Sequence, residues 1–314
     1  MLKVPVRDMA GERVEVEVER GRLVFDVKER IDIMTRIPRI FQKLILPPLT
    51  ILEDYIQVED LELDEGAELL LVVCLDTARE YFRSGNSRRQ CEALANLSFL
   101  GRRGGEASID LVCSQLGSYN CDVRRVARCS FERVASRDDP YAIAAACDCF
   151  KDDNWRARCG GVAALERIAR PGDRDIIDII AARLSDTDGR VRQEAVNSLS
   201  RLADQGDSMV IDTLGRVLND EYFWLRQSVV QAITHIAKKN DPLACSLIST
   251  RLEDDDDTVR ATAKESLRKI SDAVAEEELL WPDFADLVPD AVTQICRSAP
   301  CCLSKLLAAL RRLV

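Results

Sequence analysis

The chain has 314 residues, 46% hydrophobic and 5% aromatic, with a formal net charge of −10. That length suffices for about two domains, and no apolar run approaches the roughly 20 residues that a membrane-spanning helix requires. Residues 1–76 hold 10 basic and 17 acidic side chains, so −7 of the charge sits there, and a balance of this sign argues against nucleic acid as a partner.

The opening run, MLKVPVRDMAGERVEVEVER, is charged and alternating, unlike a signal sequence. A soluble, cytoplasmic protein is expected, with the nucleus left open. Leu2, Val4 and Val6 repeat at a period of two, a turn spans Asp8 to Gly11, and Val14, Val16 and Val18 resume the alternation, which predicts a β-hairpin. Val24, Val27 and Ile31 then fall on one helical face, Ile37-Pro38 follows, and strands are expected at 44–46 and 68–73. The order β-β-α-β-β is that of a β-grasp fold.

Gly11, Ile37-Pro38, Leu44-Ile45 and Leu52-Glu53-Asp54 make residues 1–75 resemble ubiquitin along nearly the whole domain. The segment departs from that family where Leu61 replaces a tyrosine, and where the last strand runs into Cys74-Leu75-Asp76 without a terminal Gly-Gly. The resemblance therefore implies a fixed module rather than a transferable tag. It also implies an apolar docking patch at Met9, Ile45 and Val72, with Leu70 where ubiquitin has a histidine, and a ubiquitin receptor or the proteasome as the partner. On the other reading, the helices that follow cover this face.

From residue 76 onward a pattern returns every 34 residues, its register marked by Gln90, Arg124, Arg158, Arg192, Arg226 and Arg260. Three residues after each mark stand Ala93, Ala127, Gly161, Ala195, Val229 and Ala263, and seven after it Leu97, Phe131, Leu165, Leu199, Ile233 and Leu267. These offsets, with a third apolar column ten residues on, share one face of a helix. Four residues before each mark stand the N-caps Asn86, Asn120, Asn154, Asp188 and Asp256, with Tyr222 breaking the column. Asp139, Asp173, Asp207 and Asp241 start the partner helices, with Pro140 and Pro242 at two first turns. Six helical hairpins of 34 residues are predicted over 76–272, stacked as an α-solenoid because one hairpin cannot bury its own apolar face.

The Trp, Leu-Gly and Tyr of tetratricopeptide repeats do not recur, whereas SDTDGRVRQEAVNSLSRLA, residues 185–203, resembles the HEAT and HEAT-like repeats. That resemblance implies a binding scaffold whose arginine column ties successive turns together. It also implies that the second helices line a concave face. There Arg133, Arg167, Arg201, His235 and Lys269 would form a basic row able to steer an acidic segment, or simply a solvated face. Aromatic residues gather in the turns between paired helices, at Tyr119, Trp155, Tyr222, Phe223 and Trp224, where they suit a protein interface or local packing of turn on turn. The acidic run 253–257 reads as a solvated turn ending in an N-cap. Residues 273–314, with Trp281-Pro282-Asp283, Pro289 and the amphipathic stretch 303–313, read as capping helices.

Twelve cysteines occupy positions that other repeats fill with small residues, as Cys129 does beside Ala95 and Ala163, and they are expected to be reduced thiols in the core. No metal site, cofactor or catalytic residue is expected. Deoxyhypusine hydroxylase, a HEAT-like di-iron enzyme, needs several His-Glu pairs, and the single histidine here, His235, precedes an isoleucine. The alternative to a non-catalytic protein-binding adaptor is a HEAT-like phycobilin lyase or chromophore chaperone, using Arg133, Arg167 and Arg201. Such enzymes lack a ubiquitin-like head.

Overall fold

The computed structural model describes residues 1–61 and 67–271. The chain divides into two compact units, Met1–Asp204 and a second beginning at Gln205. The expected capping helices of 273–314 lie outside the described residues.

The first unit opens with a hairpin of β1 (Leu2–Asp8) and β2 (Arg13–Val18). Its turn is built by Asp8, whose Oδ1 accepts the amides of Ala10 and Glu12, both at 2.9 Å, while Gly11 takes a φ of 89°. Helix α1 (Val24–Thr35) follows, with Asp26 accepting the Leu23 amide at 2.9 Å and Val24, Val27 and Ile31 buried. Three strands complete the sheet: β3 (Gln42–Leu46), β4 (Thr50–Ile51) and β5 (Leu69–Val73). The strand order is β2-β1-β5-β3-β4, with β1 and β5 parallel and the other pairs antiparallel. Val4, Val6, Val16, Val18, Leu44, Leu69 and Leu71 are buried with the apolar face of α1. The period-two pattern located β1 and β2, and the strands expected at 44–46 and 68–73 match β3 and β5; β4, at two residues, is too short to carry a period.

Eight helices of the first unit come next: α2 (Asp76–Arg83), α3 (Ser87–Leu100), α4 (Gly105–Leu116), α5 (Cys121–Val134), α6 (Pro140–Asp148), α7 (Trp155–Ile168), α8 (Arg174–Ala181) and α9 (Gly189–Leu202). The second unit holds α10 (Ser208–Gly215), α11 (Phe223–Ile236), α12 (Pro242–Ser249) and α13 (Asp257–Ile270). They pair as predicted, a short helix followed by one of 14 residues, and within each unit the hairpins stack as a repeat solenoid.

Local chemistry explains the starts. Asn86, Asn120, Asn154, Asp188 and Asp256 each accept amides of the first helical turn, and Asp139, Asp173, Asp207 and Asp241 do the same for α6, α8, α10 and α12. Each such cap contributes about 1 kcal/mol. Leu97, Phe131, Leu165, Leu199 and Ile233 are fully buried, and each contributes about 1.5–3 kcal/mol by leaving water. Gly161 fills its column because nothing larger fits: a Cβ there would lie 2.6 Å from the Ala146 carbonyl oxygen and 2.9 Å from the Phe150 ring.

Two expectations need correction. Cys129 is exposed, not a core residue, as is Ala95 one repeat earlier, whereas Ala163 one repeat later is buried; Cys121 is also exposed. Within the acidic run, Asp254 is buried and ion-paired rather than solvated.

Candidate functional site

The turns between paired helices are organised by the arginine column. Arg158 donates from Nη1 to the carbonyls of Asp152 and Asp153, both at 3.0 Å, closing its own turn. Its Nε and Nη2 reach the next turn and hold both carboxylate oxygens of Asp186, at 2.8 and 2.9 Å. Arg226 repeats the arrangement in the second unit, with Asp220 as the carbonyl at 2.9 Å and Asp254 as the carboxylate at 2.9 and 2.6 Å. Each aspartate also accepts the amide two residues on, Asp188 at 2.9 Å and Asp256 at 3.1 Å, and so fixes the N-cap. Burial pushes Asp186 up, but the bonds from Arg158 and the Asp188 amide outweigh it and hold the carboxyl below its ordinary range. The Arg226 bond likewise holds Asp254 low against the effect of burial. This column is architecture.

On that frame the turn aromatics are displayed. Tyr119 is 85% exposed. The Arg156 guanidinium lies over it at 5.3 Å from the ring centre and over Trp155 at 4.5 Å, and Arg190 covers Trp155 at 3.6 Å. Consecutive turns of the first unit thus carry an alternating run of rings and guanidinium groups. In the second unit, Tyr222 and Trp224 stack with centroids 5.0 Å apart and planes 18° from parallel. Tyr222 gives α11 no side-chain cap, so the broken cap column is traded for this stack; Tyr222 and Phe223 are exposed while Trp224 is half-buried. Sequence reasoning found the rings but missed Arg156 and Arg190, because the contacts of Arg156 with Tyr119 and of Arg190 with Trp155 join neighbouring turns.

The basic row is exposed at Arg133, Arg167, Arg201, His235 and Lys269. Its charge is partly spent. Arg167 pairs with Glu132 at 3.3 Å, and Arg201 grips Glu166 through two bonds of 2.7 and 2.6 Å. Burial pushes Glu166 up, yet its bonds from Arg201 and Ser198 leave it below the usual range. Lys269 meets Glu265 at 3.3 Å, and His235 and Lys269 line an open cavity of about 760 Å³ between α11 and α13. Phe99, one repeat before Arg133, occupies the same column and is 73% exposed; a row defined by charge leaves out this aromatic start.

On the N-terminal sheet, Ile45 and Leu70 are cross-strand partners, and Val72 lies opposite Lys43. All three are half-buried, and Met9 in the hairpin turn is 73% exposed. The helices that follow reach the edge of this face, where Asp76 at the start of α2 pairs with Lys43, the cross-strand partner of Val72, at 3.3 Å; Arg103, in the loop after α3, donates to the Thr35 carbonyl at the end of α1. Among the described residues, no cluster of three or more His, Cys, Asp or Glu side chains could hold a metal ion, and no helix is long and apolar enough to cross a membrane.

Residues 143–234 match the HEAT repeats family. A comparison with curated proteins finds no match. Among solved structures, the chain is similar to a designed armadillo repeat protein in complex with peptide (KR)4, at 15% identity and a TM-score of 0.40, covering 62% of this chain and 99% of that one. A second designed armadillo repeat protein is similar at 16% identity and a TM-score of 0.37, with the same coverage.

Proposed function

We propose that this chain is a non-catalytic protein-interaction scaffold or adaptor. A ubiquitin-like, β-grasp head over residues 1–75 docks a receptor such as a ubiquitin receptor or the proteasome, and a HEAT-like solenoid over 76–272 holds a second protein, within ubiquitin-linked quality control. The observation that carries the binding reading is the run Tyr119, Arg156, Trp155 and Arg190, whose outermost ring is 85% exposed although large aromatics are scarce in the chain. Rings and guanidinium groups fixed on a surface lose little freedom on binding, which is why they anchor interfaces. For the head, the supporting observations are the parallel pairing of β1 with β5 at the centre of the sheet and the adjacency of Ile45 and Leu70 on its half-exposed face.

Affinity capture followed by mass spectrometry tests both halves, using the intact protein beside Ile45→Asp and Tyr119→Ala baits, each checked for retained helix. Loss of receptor or proteasome subunits with the first bait, and of a different set with the second, is the expected result. Identical captures from all three would sink the adaptor reading. The bilin-lyase alternative draws on Arg133, Arg167 and Arg201, of which Arg167 is held by Glu132 and Arg201 by Glu166. An absorbance shift on mixing with a bilin tests it.

A further inference from the structure

The ends of α3 and α5 carry an unneutralised basic surface around one exposed ring. In the two following pairs of long helices, the residue just before the basic column touches the column residue of the next helix: Glu132 meets Arg167 at 3.3 Å and Glu166 meets Arg201 at 2.6 Å. The same register sets Ser98 of α3 beside Arg133 of α5. Ser98 donates to Ser130 at 2.8 Å, and a Cβ on Gly101 would lie 3.5 Å from the Arg133 carbonyl oxygen, which agrees with that placement. A serine stands where those two pairs have a glutamate, and among the described residues Arg133 has no carboxylate within 4.0 Å.

Around it the pattern continues. Phe99 is 73% exposed, and Arg102 and Arg137, in the loops that leave α3 and α5, are exposed. Among the described residues, none of Arg102, Arg133 and Arg137 has a carboxylate within 4.0 Å. The nearby acids are committed elsewhere: Glu132 to Arg167, Asp138 to Arg170 at 2.5 Å, and Asp139 to the first amides of α6. In a chain of net charge −10, three unpaired arginines around an exposed phenylalanine attract negative charge and offer a ring to bury.

We propose that this surface binds an extended acidic segment of a partner protein, with an aromatic or aliphatic side chain packing on Phe99 and carboxylates pairing with Arg133 and Arg137. The inference rests on the scaffold reading and names the chemistry of one partner. Three free arginines span too short a stretch to offset the acidic remainder of the chain for a nucleic acid backbone.

Fluorescence anisotropy with the full chain tests it. The probe is a fluorescein-labelled dodecapeptide of glutamates with phenylalanine at every fourth position, run beside an all-glutamate peptide and a labelled 12-nucleotide oligouridylate. The phenylalanine peptide is expected to bind more tightly than the other two, and to lose about tenfold in affinity with Arg133→Glu/Arg137→Glu and with Phe99→Ala. These side chains are exposed, and circular dichroism verifies that the variants fold. Affinities unchanged within about twofold in both variants, or tighter binding of the oligouridylate, would overturn the proposal. Using the double variant as a capture bait separates the two readings. Partners retained by both baits with no peptide binding sink this site alone, whereas no partners with either bait sinks the scaffold.

Discussion

Arg158 and Asp186, 28 residues apart, are locked side by side by two parallel hydrogen bonds of 2.8 and 2.9 Å, with both side chains largely buried at 12% and 7% exposure. Because the same guanidinium closes its own turn on Asp152 and Asp153, one side chain fixes two turns at once. Lysine keeps the charge but not the fork, so Arg158→Lys cannot serve both. Its expected cost is about 1–3 kcal/mol. A lowered urea midpoint at unchanged far-UV circular dichroism checks this; an unchanged midpoint would show the fork to be dispensable.

Gly161→Ala poses a contest between two effects of known sign. In an open helix the change would gain about 1 kcal/mol from propensity. Here the new methyl group meets a backbone carbonyl at 2.6 Å and the Phe150 ring at 2.9 Å, and a backbone atom cannot move aside cheaply. Overpacking of this kind costs about 1–3 kcal/mol, so net destabilisation is expected. Truncating the ring should relieve part of it, so a double-mutant cycle with Phe150→Ala is the measurement, and additivity would refute the contact.

Acid should weaken both units through the same groups. Asp186, Glu166 and Asp254 are held below their ordinary values in the folded chain. A carboxylate with a depressed folded pKa contributes stability that is present above its unfolded value and lost as pH falls through the folded one. Stability should therefore stay flat from pH 8 to about 5 as far as these groups are concerned, and decline below about 4. Asp254→Asn should lower stability at neutral pH and flatten that decline, as read from urea midpoints at pH 3 to 7. An equally steep decline in the variant would remove Asp254 from the account.

The 34-residue register was legible because it depends on chemistry within one hairpin: small residues where helices touch, large ones behind, and acceptors at helix starts. What failed was whatever needed knowledge of a neighbour. The glutamates that hold Arg167 and Arg201 stand 35 residues before them, a lateral spacing that only adjacent long helices reveal. Asp254 looked like one acid in a solvated run until Arg226 supplied its partner. Phe99 was hidden for a different reason, since a column defined by charge excludes its one aromatic member.

Thiol reactivity gives a last test, because burial and hydrogen bonding push individual cysteines in opposite directions. Cys121 and Cys129 are exposed and should be alkylated first at neutral pH. Burial pushes Cys159 up to about 12, so its thiolate stays scarce even at pH 9. The interaction between the Cys113 and Cys149 thiols, together with burial, raises Cys113 and, against burial, lowers Cys149. Between these two, Cys149 should therefore react with iodoacetamide before Cys113. Cys113→Ala removes the interaction that favours the Cys149 thiolate while leaving the residue partly buried, so labelling of Cys149 should slow rather than speed up. Peptide-resolved mass spectrometry over a time course measures each rate. Faster Cys149 labelling in that variant would mean that access, not thiolate population, limits the reaction.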